Sequence, residues 1–100
     1  MTTIKFAPRA KRDLEDILLY LTEMAGEGTT QKYAGEFADA IDLIQTMPAM
    51  GALRPLLGET TRAILVLPYV MFYDFDEEAQ QVQILRILHG KQNITKNLLK

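Results

Sequence analysis

Apolar residues change their rhythm twice along this chain. Thr2 to Phe6 alternates, with Ile4 and Phe6 on one face, and reads as a short strand that Ala7-Pro8 ends. Pro8 suits the first turn of a helix. From there Leu14, Ile17, Leu18, Leu21 and Met24 or Ala25 recur at helical spacing. Arg9, Lys11, Arg12, Glu15, Asp16 and Glu23 fill the opposite face. The helix is expected to end near Gly26. Gly26-Glu27-Gly28 is short enough to return the next helix antiparallel, with Thr29 or Thr30 as its cap. Tyr33, Phe37, Ala40, Ile41, Ile44 and Met47 give that second helix its apolar stripe, and Pro48 stops it.

After an irregular stretch the period shortens. Ala63 to Leu67 is a branched apolar run that Pro68 interrupts, since proline has no N–H for a central ladder. Tyr69 to Phe75 is aromatic and branched, as a pleated surface prefers. Asp76 to Gln80 is a polar connector of hairpin length, and Val82 to Leu88 is apolar on both faces with Arg86 in its middle. Strands of this kind need cover on both sides. Pro48 to Thr61 is expected to be a loop packed on the body through Met50, Leu53, Leu56 and Leu57, and Ile94 to Lys100 is a last helical turn or a fraying end. The order is strand, helix, helix, then three strands (β-α-α-β-β-β). This is an α+β layout in which a helical hairpin packs on a small, mostly antiparallel sheet. The last three strands form a meander, and the first pairs at an edge.

Composition changes this picture little. One hundred residues, 48% hydrophobic and 24% charged, make residues 1–100 a single ordinary domain. No stretch approaches a membrane span or a signal peptide, and no cysteine is present, so a cytoplasmic protein without disulfides or thiolate metal sites is expected. The net charge of −2 hides a segregation. Between Asp13 and Asp42 the charged residues are carboxylates except for Lys32; from Val82 onward Arg86, Lys91, Lys96 and Lys100 stand without a carboxylate side chain. Such a split suits a negative partner at the C-terminal end, or is a solvated tail.

Few chemistries fit these residues. There is no Gly-rich phosphate loop, no serine, and a single histidine, His89, so serine nucleophiles and histidine metal sites are not expected. No cofactor is expected either. Asp13 and Asp16 read as part of a solvated face rather than as cation ligands. The remaining candidates are Arg62, Tyr73, Arg86, His89 and Lys91. Arg86 shares a strand face with Val82, Ile84 and Leu88 in strict alternation. It needs a partner there: a carboxylate such as Asp74 on the neighbouring strand, or a bound anion gripped by its planar guanidinium. His89 is either a strand-end hydrogen-bonding group or an acid–base group with a reference pKa near neutrality.

The residues also resemble a known family. Phe6, the spacing Ala10-x-x-Asp13-Leu14-x-x-Ile17-x-x-Tyr20, Phe37, Ile41, Met47-Pro48, Gly51, Arg54-Pro55, Leu57-Gly58 and Arg62 follow in order. Pro68-Tyr69-Val70-x-Phe72-Tyr73 and Ile84-Leu85-Arg86-Ile87-Leu88-His89-Gly90 are the most specific pieces. Together they resemble the ParE branch of the RelE/ParE superfamily, toxins of type II toxin–antitoxin modules.

The resemblance implies the same helical hairpin on a twisted sheet. It implies a cognate antitoxin as partner in a toxin–antitoxin hetero-oligomer, operator DNA reached only indirectly through that antitoxin, and no membrane. ParE-like members inhibit DNA gyrase; Arg86, His89 and Lys91 are then the expected target-binding residues. RelE-like members instead cleave mRNA on the ribosome without metal, and Arg62, Arg86 and His89 would be the catalytic set of that alternative. RelE-like sites usually carry several Lys or Arg on the middle strands, whereas Ile64 to Phe75 here carries none.

Overall fold

The computed structural model describes residues 2–99. Strand β1 spans Thr3–Phe6, helix α1 Pro8–Ala25, helix α2 Glu27–Thr46, and strands β2 to β5 span Ala52–Leu53, Thr61–Val66, Tyr69–Asp76 and Gln81–His89; a 3-10 turn, Lys96–Leu99, follows. Lys100, the end of the expected basic tail and last turn, lies outside the described residues.

The sheet order is β1-β5-β4-β3-β2. The meander β3-β4-β5 is antiparallel as its short connectors require, while β1 joins the far edge parallel to β5, with Thr3 opposite Gln81 and Phe6 opposite Ile84. Both helices cover one face. Ala10 of α1 and Phe37, Ala40 and Ile44 of α2 pack on Met71, Tyr73, Val82, Ile84 and Ile87. Burying a side chain of Phe or Ile size stabilises by about 1.5–3 kcal/mol, so this interface is the main source of stability. The other face, carrying Ala63, Val70, Phe72 and Leu88, is covered by Leu57, Ile94, Leu98 and Leu99. The two-sided cover that the strands demand therefore comes from two different sources.

The helical hairpin is tighter than the sequence predicts. Gly26 alone joins the helices, at φ 88, a left-handed conformation natural only to glycine. Helix α2 begins at Glu27, whose carboxylate suits a helix start. Thr30 is thus inside the helix: its hydroxyl donates back to Gly26 O at 3.2 Å and lies 2.7 Å from the Thr22 hydroxyl, tying the two helices together instead of capping one. Helix α1 has neither a side-chain cap nor an acidic residue in its first turn. It opens instead with Arg9, Lys11 and Arg12, cations at the end of the macrodipole that disfavours them.

The Pro48–Thr61 segment departs from expectation twice. It contains β2, paired with β3 only at Arg62 and Ala63. Its apolar residues do not all pack inward: Leu57 joins the second core, but Met50, Leu53 and Leu56 are exposed, Leu56 by 92%.

A bulge in β5 resets its faces. Phe72 lies opposite Arg86 and Tyr73 opposite Ile84, leaving Leu85 as an extra residue. Val82 and Ile84 therefore belong to the helix side, while Leu88, three positions past the bulge, belongs to the other. The expected single face of Val82, Ile84, Arg86 and Leu88 is split in two.

Candidate functional site

Arg86 is the best-anchored charged residue in the chain. Its Nε donates to Asp13 Oδ2 at 2.6 Å and its Nη2 to Asp13 Oδ1 at 2.9 Å, a two-pronged grip. Its Nη1 donates to Leu98 O at 2.7 Å. The same Asp13 Oδ2 accepts the Ile87 backbone N–H at 3.0 Å. The geometry follows from the topology: β1 covers β5 only to Ile84, so the N–H of Ile87 faces an edge that α1 must satisfy. The side chains of Arg86 and Asp13 are 10% and 15% exposed. Hydrogen bonding to Asp13 lifts the arginine pKa above its ordinary value, against the opposing pull of burial.

The partner differs from the expected Asp74, which instead accepts the Thr61 hydroxyl at 2.8 Å. Asp13 is likewise not part of a solvated face. The guanidinium's Nε, Nη1 and Nη2 are all engaged within the chain, leaving no open fork for an outside anion.

Arg62 and Tyr73 are cross-strand neighbours and hold one loop. Arg62 Nη1 donates to Ala49 O and Gly51 O, each at 2.8 Å. The Tyr73 hydroxyl donates to Pro48 O at 2.8 Å and accepts the Gly51 N–H at 3.0 Å. A Cβ on Gly51 would collide with that hydroxyl and meet Ala63 O at 3.0 Å, which explains the glycine. Burial raises the Tyr73 pKa, the Gly51 hydrogen bond and Arg62 opposing it in part; burial, with Tyr33 and Tyr20 nearby, raises that of Tyr69.

This has a consequence for alkaline stability. The unfolded chain releases these phenolic protons near 10.0, whereas the folded chain keeps them to higher pH. Above that value the folded state binds more protons, so stability is full below about pH 10 and falls as pH rises through the folded pKa. Urea midpoints measured from about pH 8 to about pH 11 should show this decline. Tyr73→Phe should be less stable at neutral pH by about 1–3 kcal/mol, because Gly51 N–H and Pro48 O lose their partner. Its alkaline decline should be shallower.

His89 and Lys91 end up at a corner. The His89 ring meets the Tyr69 ring edge-on at 5.8 Å, and Tyr69 meets Tyr33 at 6.0 Å. His89 Nδ1 accepts the Lys91 N–H at 3.1 Å, the strand-end bonding foreseen as one option. Lys91 is exposed and His89 half-buried. A shallow cleft of about 250 Å³ beside them is lined by Asp16, Ile17, Tyr69, His89 and Gln92 among others. Arg86 and His89 both line this cleft, whereas Arg62 is bonded to the Ala49–Gly51 loop elsewhere, so the three do not converge on one point. On the sheet's second face, a cleft of about 490 Å³ is lined by Arg54 as its sole charged residue, with Leu57, Val70, Phe72 and Ile94 beside it. Among the described residues no group of three or more His, Cys, Asp or Glu side chains is placed to hold a metal ion.

A further surface feature lies along the free edge of β3. Because β2 reaches only Arg62 and Ala63, the rest of the β3 edge, Ile64 to Val66, has no strand partner among the described residues. A groove of about 550 Å³ runs between this edge and α2, lined by Leu43, Met50, Leu65 and Leu67 and flanked by Glu36 and Asp39. Leu65 and Leu67 are 57% and 72% exposed. An open strand edge beside exposed apolar side chains is a docking surface for an extended segment. The only sequence signal was the surplus of apolar residues around Pro48–Thr61.

Residues 4–94 match the family model described as the ParE toxin of the type II toxin–antitoxin system parDE. Toxin ParE1 of Caulobacter vibrioides is 31% identical over 98 residues, covering 98% of this chain and 99% of that protein. Among solved structures, the chromosomal ParDE toxin–antitoxin system from P. aeruginosa matches with a TM-score of 0.72 at 22% identity, over 89% of this chain and 96% of that one. The RelBE2 toxin–antitoxin complex from Mycobacterium tuberculosis matches with a TM-score of 0.54 at 28% identity, over 88% and 96%.

Proposed function

Since the chain belongs to the ParE toxin family of type II toxin–antitoxin systems, we propose that it inhibits DNA gyrase in the cytoplasm and is neutralised by direct binding of a cognate antitoxin. The observation that carries the inhibitor reading over mRNA cleavage is the use of its cations. Phosphodiester cleavage needs a base, an acid and free positive charge around one phosphate. Here Arg62 grips Ala49 and Gly51 carbonyls, Arg86 grips Asp13 and Leu98, and the cleft on the second face offers Arg54 alone. An inhibitor needs a shaped surface and no such constellation.

The proposed target surface is the corner of His89 and Lys91, with Tyr69 behind it. Arg86 belongs to it as the residue that fixes the strand end, not as a contact. The antitoxin segment is proposed to lie along the open β3 edge, adding a strand there, with basic residues facing Glu36 and Asp39. No helix among the described residues is long and apolar enough to cross a membrane.

The test is direct. Purified toxin added to gyrase and supercoiled plasmid should accumulate cleaved DNA, while translating ribosomes should keep intact mRNA. The Lys91→Ala variant, which changes an exposed side chain, should need about tenfold more toxin or higher for the same effect, at an unchanged melting temperature. Cut transcripts without cleaved plasmid would reverse the assignment.

A further inference from the structure

The cleft on the second face of the sheet combines an apolar lining with a cation that the fold does not employ. Its volume, about 490 Å³, lies within the usual range for small-molecule sites. Val70 and Phe72 of β4 line it, and both are almost wholly buried. Leu57, from the loop before β3, and Ile94, from the tail, line it as well. Arg54 and Leu56 stand on the same loop and border the same cleft. Among the described residues the Arg54 guanidinium has no hydrogen-bond or ion-pair partner, unlike those of Arg62 and Arg86. Leu56, at 92% exposure, is the most exposed large apolar side chain among the described residues. The loop thus commits neither its cation nor this leucine to the fold.

Main-chain bonding decides what kind of ligand suits the cleft. β4 is an inner strand: Val70 pairs with Leu65 on one side and Leu88 on the other, and Phe72 with Ala63 and Arg86. The Gly90 N–H already donates to Pro68 O, and the Leu57 N–H to Arg54 O. An extended peptide laid here would find no strand edge and would bury its own amides without partners. A free phosphate would meet one cation among apolar side chains and lose most of its hydration for it. The matching ligand has a single negative head and a body without polar atoms. We propose that this cleft binds an alkyl carboxylate of the fatty-acid type, its head on the Arg54 guanidinium and its chain against Leu56, Leu57, Phe72 and Ile94. A carboxylate suits arginine because two oxygens meet two N–H groups in one plane. The lining residues differ from those of the His89 corner and of the β3 groove, so the site is separate from both proposed protein surfaces.

The probes are octanoate and octanamide, which share a chain and differ in charge, titrated calorimetrically into the full-length protein. Octanoate should bind saturably with a Kd of about 1 mM or tighter, and octanamide about tenfold more weakly. Each CH₂ added from hexanoate to decanoate should tighten binding about twofold to fourfold. Backbone amide chemical shifts should move around Leu57, Val70, Phe72 and Ile94 and stay in place around Leu65 and Tyr33. Arg54→Gln should weaken octanoate about tenfold and leave octanamide unchanged, and Arg54→Lys should recover part of the loss. Lys32→Gln should change neither. The Arg54 side chain has no partner among the described residues, so Arg54→Gln should melt at the wild-type temperature, which separates lost binding from lost folding. Absent saturation at about 10 mM octanoate overturns the proposal. Wild-type affinity in Arg54→Gln overturns it, as does octanamide binding as tightly as octanoate, or shifts centred on Leu65. A peptide, acetyl-Leu-Leu-Glu-amide, binding about tenfold more tightly than octanoate overturns it in favour of a protein partner.

Discussion

Asp13→Ala will lower the melting temperature by more than about 10 °C. The carboxylate accepts three hydrogen bonds, from Arg86 Nε, Arg86 Nη2 and Ile87 N. Its removal leaves a buried guanidinium with only Leu98 O and an edge N–H with nothing. Breaking a buried pair from one side costs about 3–5 kcal/mol, and the residual exposure of both side chains places this one near the lower end. In a domain of this size about 1 kcal/mol moves the midpoint by roughly 4–8 °C. Asp13→Asn should be milder than alanine, because one oxygen acceptor remains. Asp13→Leu/Arg86→Met should regain much of the loss, since it leaves neither charge unpaired. Differential scanning calorimetry of the four proteins decides this. A double variant as unstable as Asp13→Ala would mean that the Ile87 N–H, not the ion pair, is what Asp13 supports.

Leu65→Glu/Leu67→Glu should cut the affinity for the proposed cognate antitoxin by about 100-fold or more, while stability changes by no more than about 0.5 kcal/mol. Both leucines are largely exposed, so the fold has little to lose. The groove is already flanked by Glu36 and Asp39, and two further carboxylates would bury unpaired charge against any apolar strand laid there. Calorimetric titration with purified antitoxin measures the first effect and thermal melting the second. In cells, the variant should be toxic even when the antitoxin is co-expressed. Wild-type affinity would place the antitoxin on another surface.

The fold was legible where neighbours in sequence decide the outcome. The stripe from Leu14 to Leu21, the stripe from Tyr33 to Ile44 and the branched runs after Ala63 each announce their element by spacing alone, and the meander follows from the short connectors. Asp13 shows the limit. By periodicity it belongs to a polar face; its role comes from Arg86, 73 positions away, and no local pattern encodes that meeting. The bulge at Leu85 was hidden for a related reason: in a strand apolar on both faces, a slip of one residue leaves the pattern unchanged. The open β3 edge depends on how far a two-residue strand reaches, too short a run to signal itself. Among the candidate residues, the lack of Lys or Arg from Ile64 to Phe75 is visible in the sequence itself. What the sequence could not reveal was that Arg62 and Arg86 are already bonded, one to a loop and the other to the tail and α1.

The parallel pairing of β1 with β5 also bears on how the chain matures. Thr3 is synthesised long before its sheet neighbour, Gln81. The hairpin of helices can form while synthesis continues, but β1 waits, its edge unmatched, until β5 has been made. A prematurely terminated product lacks more than its end: it also lacks the surface on which its own beginning rests.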